Sequence, residues 1–250
     1  MFQVLSDLHL ELFPGFRLDP AQATAPYLLL AGDIGTPGSG EYASFLQHCS
    51  TLFERVFVVL GNHESYGASL GDAKDAAASA CSQLVNVTLL DMDTVDILDA
   101  NVRVAGCTLW SQVTPVQRKD VQCFVADYRK IKGFSVEDGL DLHREHVAWL
   151  GGELKRAEED GVRLVVLTHH APLLERTSAP RNDNSPLMSA FATDLPHLLR
   201  PPVALWVYGH THFSAARKLA SGTQLVSNQR GYPSNSAEGQ GFDPSSVFSL

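Results

Sequence analysis

A chain of 250 residues, 44% of them hydrophobic, is long enough for one compact domain with a sizeable core. Its 28 acidic against 19 basic side chains leave a formal charge of -9, which argues against a large nucleic-acid surface, because backbone binding is driven by lysine and arginine neutralising phosphates. No apolar run reaches the roughly 18 residues of a spanning helix, no basic region precedes an apolar stretch at the N-terminus, and Cys49, Cys81, Cys107 and Cys123 lack CxxC spacing in segments that read as buried. The expectation is therefore a single domain over residues 1–250, cytoplasmic, with reduced thiols and no membrane attachment.

In chain order, short apolar strands are predicted at 2–5, 27–31, 56–60, 87–90, 95–98, 102–110, 164–168, 203–208, 223–227 and 246–249. Amphipathic helices are predicted at 39–52, 68–84, 137–159 and 187–199. The alternation suits an α/β fold, and the unbroken apolar strands suit sheets covered on both faces. The helix at 137–159 has the clearest pattern, with Leu142, His146, Trp149, Leu150 and Leu154 on roughly one face and a charged end at 155–160. Its His143 and His146 have the spacing of a ligand pair, but packing and solvent are the expected fate because no carboxylate shares their face. Residues 111–135 and 172–186 read as polar, proline-punctuated connections, a length that often carries function.

Five of the strands end alike. The strand at 2–5 runs into Asp7 and His9, that at 27–31 into Gly32-Asp33, and that at 56–60 into Gly61-Asn62-His63. The strand at 164–168 runs into His169-His170, and that at 203–208 into Gly209-His210-Thr211-His212. In open α/β sheets the C-terminal edge of the strands is where sites assemble. Any one of these pieces is explained by a turn or a capped loop, but burying aspartates and histidines together without compensation costs several kcal/mol, roughly, unless they pair or bind metal. Oxygen and imidazole donors without thiolate suit Mn²⁺, Fe, Zn²⁺, Co²⁺ or Mg²⁺.

The ordered blocks Asp7-Leu8-His9, Gly32-Asp33, Gly61-Asn62-His63, His169 and Gly209-His210-Thr211-His212 resemble the signature of the calcineurin-like metallophosphoesterases. Ala105–Trp110, Asp127-Tyr128-Arg129, Thr168–Pro172 and Asn228-Gln229-Arg230-Gly231-Tyr232 look like a group of small, mostly bacterial members, which usually have proline where Gln229 stands. The resemblance implies a four-layer αββα sandwich with two mixed β-sheets and the metal site at the C-terminal ends of the strands. It implies one divalent cation on Asp7, His9, Asp33 and His212 and another on Asp33, Asn62, His169 and His210, with Asp33 bridging them. Two such cations, about 3.5–4 Å apart, can share a hydroxide that attacks phosphorus in line. Asp33 and His63 are then the catalytic pair: His63 is spared from ligation and, by resemblance, lies beside the leaving-group oxygen, where imidazolium can donate a proton.

The remaining candidates are substrate contacts. His170 reads either as a phosphate contact or as a histidine bonded to a nearby carbonyl. Arg129 suits a bidentate grip on phosphate or carboxylate, or a plain surface ion pair with Asp127. Asn228, Arg230 and Tyr232 follow a strand and are placed at the rim of the same mouth. Glu64 is left between orienting His63 and facing solvent. The implied partner is a small phosphorylated molecule, monoester or diester. The rival readings are a nuclease of the same superfamily, which the acidic balance disfavours, an amidohydrolase, which needs His-x-His on its first strand, and a non-catalytic binding scaffold of the same fold.

Overall fold

The computed structural model describes residues 1–235 and 238–250. Its strands are β1 (Phe2–Leu5), β2 (Tyr27–Ala31), β3 (Arg55–Val59), β4 (Val87–Leu89), β5 (Asp93–Ile97), β6 (Val102–Cys107), β7 (Arg163–Thr168), β8 (Val203–Val207), β9 (Ala215–Lys218), β10 (Gln224–Ser227) and β11 (Val247–Phe248). Its α-helices are α1 (Gly40–Leu52), α2 (Leu70–Ser82), α3 (Arg118–Phe124), α4 (Asp127–Lys130) and α5 (Val136–Asp160). One sheet has the order β11-β1-β2-β3-β4 and the other β5-β6-β7-β8-β10-β9. Both are mixed: β1 to β4 run parallel with β11 antiparallel at the edge, while β6, β7, β8 and β10 run parallel between antiparallel β5 and β9.

Strand alternation builds the layers. On β3, Phe57 and Val59 point between the sheets while Val56 and Val58 face α1 and α2. On β7, Val165 and Leu167 meet them from the other sheet, and Leu164 and Val166 turn outward to Leu150, Leu154 and Ala157 of α5. Each fully buried side chain of this size stabilises by about 1.5–3 kcal/mol. The helices start where their caps dictate. Ser39 and Ser69 oxygens accept the first free N–H groups of α1 and α2, and Ser135 and Asp138 form a reciprocal capping box on α5, which stops at left-handed Gly161.

Several expectations change. Residues 187–199 do not form an α-helix: a single 3₁₀ turn, Met188–Ala190, is followed by an Ala171–Ala192 bridge and tight turns. Pro196 cannot donate the helical hydrogen bond, and the Asp194 carboxylate accepts the Leu174 N–H instead. Leu195, Leu198 and Leu199 still bury in the outer core, so the apolar spacing reflects turns packed on β7 and β8 rather than a helix face. Conversely, 111–135 contains α3 and α4, and β9 had no counterpart among the predicted strands. The strand predicted to reach Trp110 ends at Cys107, because Leu109 and Trp110 take left-handed conformations, φ 72° and 50°, that leave the sheet. Their carbonyls accept from His143 Nδ1 at 3.2 and 3.3 Å, and His143 and His146 are 4% and 3% exposed: packing, not solvent, is their fate. Cys49, Cys81 and Cys107 are buried, but Cys123, on α3, is exposed; none of the four is in a disulfide. No helix among the described residues is long and apolar enough to cross a membrane.

Candidate metal centre

The ends of β1, β2, β3, β7 and β8 deliver their polar side chains into one volume. Asp7, His9, Asp33, His210 and His212 all have left-handed backbones, φ 53°, 49°, 53°, 71° and 51°, each costing on the order of 1–3 kcal/mol unless the surroundings hold it. The surroundings do so by cross-bonding the loops. Asp7 N–H donates to Gly32 O and His9 N–H to Asp33 O, both at 3.0 Å, and the Asp7 and Asp33 carboxylates accept the His210 and His63 N–H groups at 2.9 Å. Glycine is needed where these loops touch: a Cβ on Gly61 would lie 2.2 Å from Asp33 Oδ1, and one on Gly209 2.7 Å from Asp7 Oδ2.

Among the described residues, three sets of donors cluster with their ligating atoms within 4.8 Å of one another: Asp7, His9 and His212; His9, Asp33 and His63; and Asp33, His169 and His210. The Asp33 carboxylate spans the first and last, with Oδ2 3.9 Å from His9 Nε2 and Oδ1 3.5 Å from His169 Nε2. The hydrogen bonds on the far side of each ring fix the tautomers. His9 Nδ1 donates to Glu11 at 3.2 Å, His212 Nδ1 to Glu238 at 2.6 Å and His169 Nδ1 to the Ala31 carbonyl at 2.8 Å. In the neutral rings the inner Nε2 atoms therefore carry lone pairs. Those of His9 and His212 face each other at 3.0 Å, and that of His169 faces Asn62 Oδ1 at 2.9 Å. Acceptor against acceptor is repulsive unless a proton or a metal ion lies between. Asp7 Oδ2 and His210 Nε2 are buried with no hydrogen-bond partner, as ligands awaiting an ion would be.

The charge balance agrees. Burial works to lower the His169 pKa, but Asp33 and then Asp7 overcome it and push the imidazole up to about 10. Burial raises Asp33, yet His169, His63 and His9 hold it well below the usual carboxylate range. The centre thus demands positive charge among its nitrogens, which protons or metal ions both satisfy.

A profile of the calcineurin-like phosphoesterases matches residues 2–214. The chain belongs to this family. It is 29% identical to the uncharacterized protein L509 of Acanthamoeba polyphaga mimivirus over 275 residues, spanning 98% of this chain and 94% of the other. Among solved structures, phosphopantetheinyl hydrolase PptH from Mycobacterium tuberculosis superposes with a TM-score of 0.71 at 17% identity, covering 93% and 90% of the two chains. A dimetal phosphatase from Danio rerio gives 0.53 at 14% identity over 90% and 86%. These likenesses show a shared fold. Calcineurin-like phosphoesterases typically hold two divalent cations, and the donors described above suit them: hard oxygens and imidazoles, inner lone pairs unmatched.

In this phosphoesterase the side chains around the donors divide by role. Asn62 Nδ2 donates to Asp127 at 2.8 Å and to the Tyr66 hydroxyl at 3.1 Å, and that hydroxyl donates to Asp127 at 2.6 Å. Asp127, a candidate substrate contact, lines the cavity but is 2% exposed, and it holds the Asn62 amide so that Oδ1 faces the centre. Glu64 neither orients His63 nor meets solvent. Its carboxylate accepts backbone N–H groups from Asp33 at 3.0 Å, Ile34 at 2.7 Å and Gly61 at 2.8 Å, stitching the loop after β2 to the loop after β3. Burial, with Asp33 beside it, pushes Glu64 up to about 8, while the three N–H donors stabilise its anion.

His63 is half-buried, with Nδ1 3.0 Å from Glu11 and Nε2 3.1 Å from the Tyr232 hydroxyl. Burial lowers its pKa, but Asp33 and Glu11 win and raise it. His170 lies behind the donors, almost fully buried, its Nδ1 3.3 Å from the Thr108 carbonyl, and burial keeps it neutral. Neither candidate arginine faces the centre: Arg129 donates to the Cys123 and Phe124 carbonyls, while Arg230 donates to Leu8 O at 3.0 Å and lies over the Phe16 ring. Arg129 and Asp127 do not pair, because each is already engaged elsewhere. Gln229 uses the N–H that proline would lack, donating to Ser214 Oγ at 2.9 Å. Glu11, Tyr66 and Glu238 were missed: they touch the centre from loops with no recognisable pattern, although Glu11 does follow Asp7 and His9 at the same spacing of two.

A cavity of about 490 Å³ opens over the donors. Asp33, Asn62, His63, His210 and His212 form its floor.

Proposed function

We propose that this phosphoesterase hydrolyses a phosphate ester of a small molecule at a dinuclear centre. Asp7, His9, Asp33 and His212 would hold one divalent cation, and Asp33, Asn62, His169 and His210 the other. The observation that carries this reading is the convergence of ligating atoms: His9 and His212 Nε2 approach to 3.0 Å, each ring held by a carboxylate at its Nδ1, and the buried Asp7 Oδ2 and His210 Nε2 have no hydrogen-bond partner among the described residues. When bound, the cations supply an activated water and neutralise the charge that develops on the phosphoryl oxygens. The remaining work belongs to the protein. Asp33 presents one oxygen to each side, and Asp127 keeps the Asn62 carbonyl oxygen turned inward.

His63 is the proton donor in this reading. Glu11 accepts from Nδ1, so Nε2 is the end that protonates the departing alkoxide from the cavity floor. His63→Ala is expected to keep its metal content and to lose activity on alkyl phosphates far more than on activated aryl phosphates, by about 10²–10⁴-fold against a much smaller loss. Equal losses on both would count against the role.

The cavity volume suits a small molecule rather than a polymer, and four unpaired cysteines suit a cytoplasmic setting. A panel of p-nitrophenyl phosphate and bis-p-nitrophenyl phosphate, with Mn²⁺, Zn²⁺, Co²⁺, Fe²⁺ or Mg²⁺ and with chelator, tests the proposal. Metal-dependent turnover of one ester, abolished by chelator, is expected, and the ester preferred decides between phosphatase and phosphodiesterase. A protein that binds no metal and hydrolyses neither ester would instead be a binding scaffold of this fold.

A further inference from the structure

The cavity over the donors is lined by polar and apolar groups together. The polar ones include Lys130, whose Nζ is held 4.8 Å over the Tyr66 ring, with Ser178, Arg181, Asn182 and Ser185. The apolar ones form a wall of Phe124, Val125, Leu187, Met188 and Phe191. Phe124 and Val125 come from the connection 111–135, and Leu187, Met188 and Phe191 from the turns that follow the connection 172–186; behind them lies a small core of Val113, Val121, Val125, Val136 and Ala190, separate from the cores on the two sheets. The wall's members are not equally satisfied. Val125 and Met188 are buried, and Phe191 stacks on His210 with ring centroids 4.7 Å apart and an interplanar angle of 23°. Phe124, at the end of α3, is 68% exposed while lining the cavity.

A single exposed apolar side chain is ordinary on a protein surface; Phe124 is set apart because it lines, with Phe191, the same cavity as the candidate donors. We propose, as an extension of the phosphoesterase reading, that the apolar wall binds the organic group of the substrate and that this group carries an aromatic ring. The phosphoryl group lies on the floor, and the ring packs against Phe124 and Phe191, where faces or edges of rings pair favourably. The inference names a substrate class from the wall's chemistry and depends on the floor being a phosphoryl site.

Non-hydrolysable phosphonates separate the two claims. Binding of methylphosphonate, cyclohexylphosphonate, phenylphosphonate and 1-naphthylphosphonate to the Mn²⁺-loaded protein is measured by calorimetry, for the natural chain and for Phe124→Ala and Phe124→Tyr. The expected order is naphthyl and phenyl tighter than cyclohexyl, and cyclohexyl tighter than methyl, with aryl binding about tenfold tighter than methyl. Phe124→Ala is expected to remove most of the aryl advantage and leave methylphosphonate unchanged, while Phe124→Tyr retains it. Equal binding of phenyl and cyclohexyl groups, or an equal loss for aryl and methyl ligands in Phe124→Ala, overturns the aromatic assignment and leaves the phosphoryl floor standing. If none of the four binds, the floor reading falls and the wall reading falls with it.

Discussion

Asn62 serves a cation only through its carbonyl end, and nothing in an asparagine's own geometry decides which end faces inward. Asp127 decides it, because a carboxylate can accept from Nδ2 but has nothing to donate to Oδ1. Asp127→Asn removes that distinction. The expected outcome is a protein that still folds and binds the first cation normally but binds the second about 10–100-fold more weakly, read by metal titration with the ion content of the protein measured directly. Tyr66→Phe, which keeps Asp127, should cost less; unchanged occupancy in Asp127→Asn would refute the orientation role. The donors were legible in the sequence because each follows an apolar strand within a few residues, so the strand pattern located them. Glu64 was left open, Glu11 and Glu238 were missed, and the hold of Asp127 on Asn62 was not foreseen, for the opposite reason. They act across loops, Asp127 on a partner 65 positions away, and a lone carboxylate in an irregular segment carries no signal of what it will face.

At the scale of the element, α5 carries a pH dependence of its own. Burial is the main cause that lowers both His143 and His146 below their ordinary value of 6.5, with Asp91 opposing it at His146. In the folded chain the two rings stay neutral at a pH where the unfolded chain binds protons. Their contribution is therefore fully present above about pH 6.5 and is lost as pH falls below it, at up to about 1.4 kcal/mol per pH unit for each ring. Urea unfolding at pH 7.5 and 5.5 should show a smaller loss for His146→Leu than for the natural chain; an identical loss would remove His146 from the account. The same helix shows what periodicity conveys. Its apolar face and charged end placed its limits to within a residue, and in the structure the Ser135 cap and left-handed Gly161 agree with them. Residues 187–199 had the apolar spacing without that agreement, and Pro196 with the Asp194 side chain settled the segment as turns.

At the scale of the molecule, two sheets meet face to face, and candidate ligands from both converge on one centre. The five strands that end in donors belong to both sheets: β1, β2 and β3 to one, β7 and β8 to the other. Metal binding should accordingly stabilise the whole chain. At a metal concentration 100 times the dissociation constant, the gain is about 2.7 kcal/mol per site, roughly 5–10 °C in Tm for a domain of this size. Thermal unfolding after chelation and after Mn²⁺ is restored measures it, and an unchanged Tm would contradict a shared ion centre. The layered fold was legible because buried parallel strands read as unbroken apolar runs. The edge strand β9, with its alternating half-exposed residues, did not.

The left-handed backbone at His210 puts the molecule's durability and its chemistry in opposition. Asparagine and glycine accept that backbone more readily than histidine does, and His210 is the left-handed histidine whose buried Nε2 has no partner among the described residues to offset the strain. In metal-free buffer, His210→Asn should melt higher than the parent while binding metal worse, whereas Asp33→Asn should melt lower, because it leaves the His169 imidazolium without its counter-charge. Selection for heat resistance alone would then discard His210 early, and a lineage of this fold that gave up catalysis would be rewarded with a sturdier scaffold.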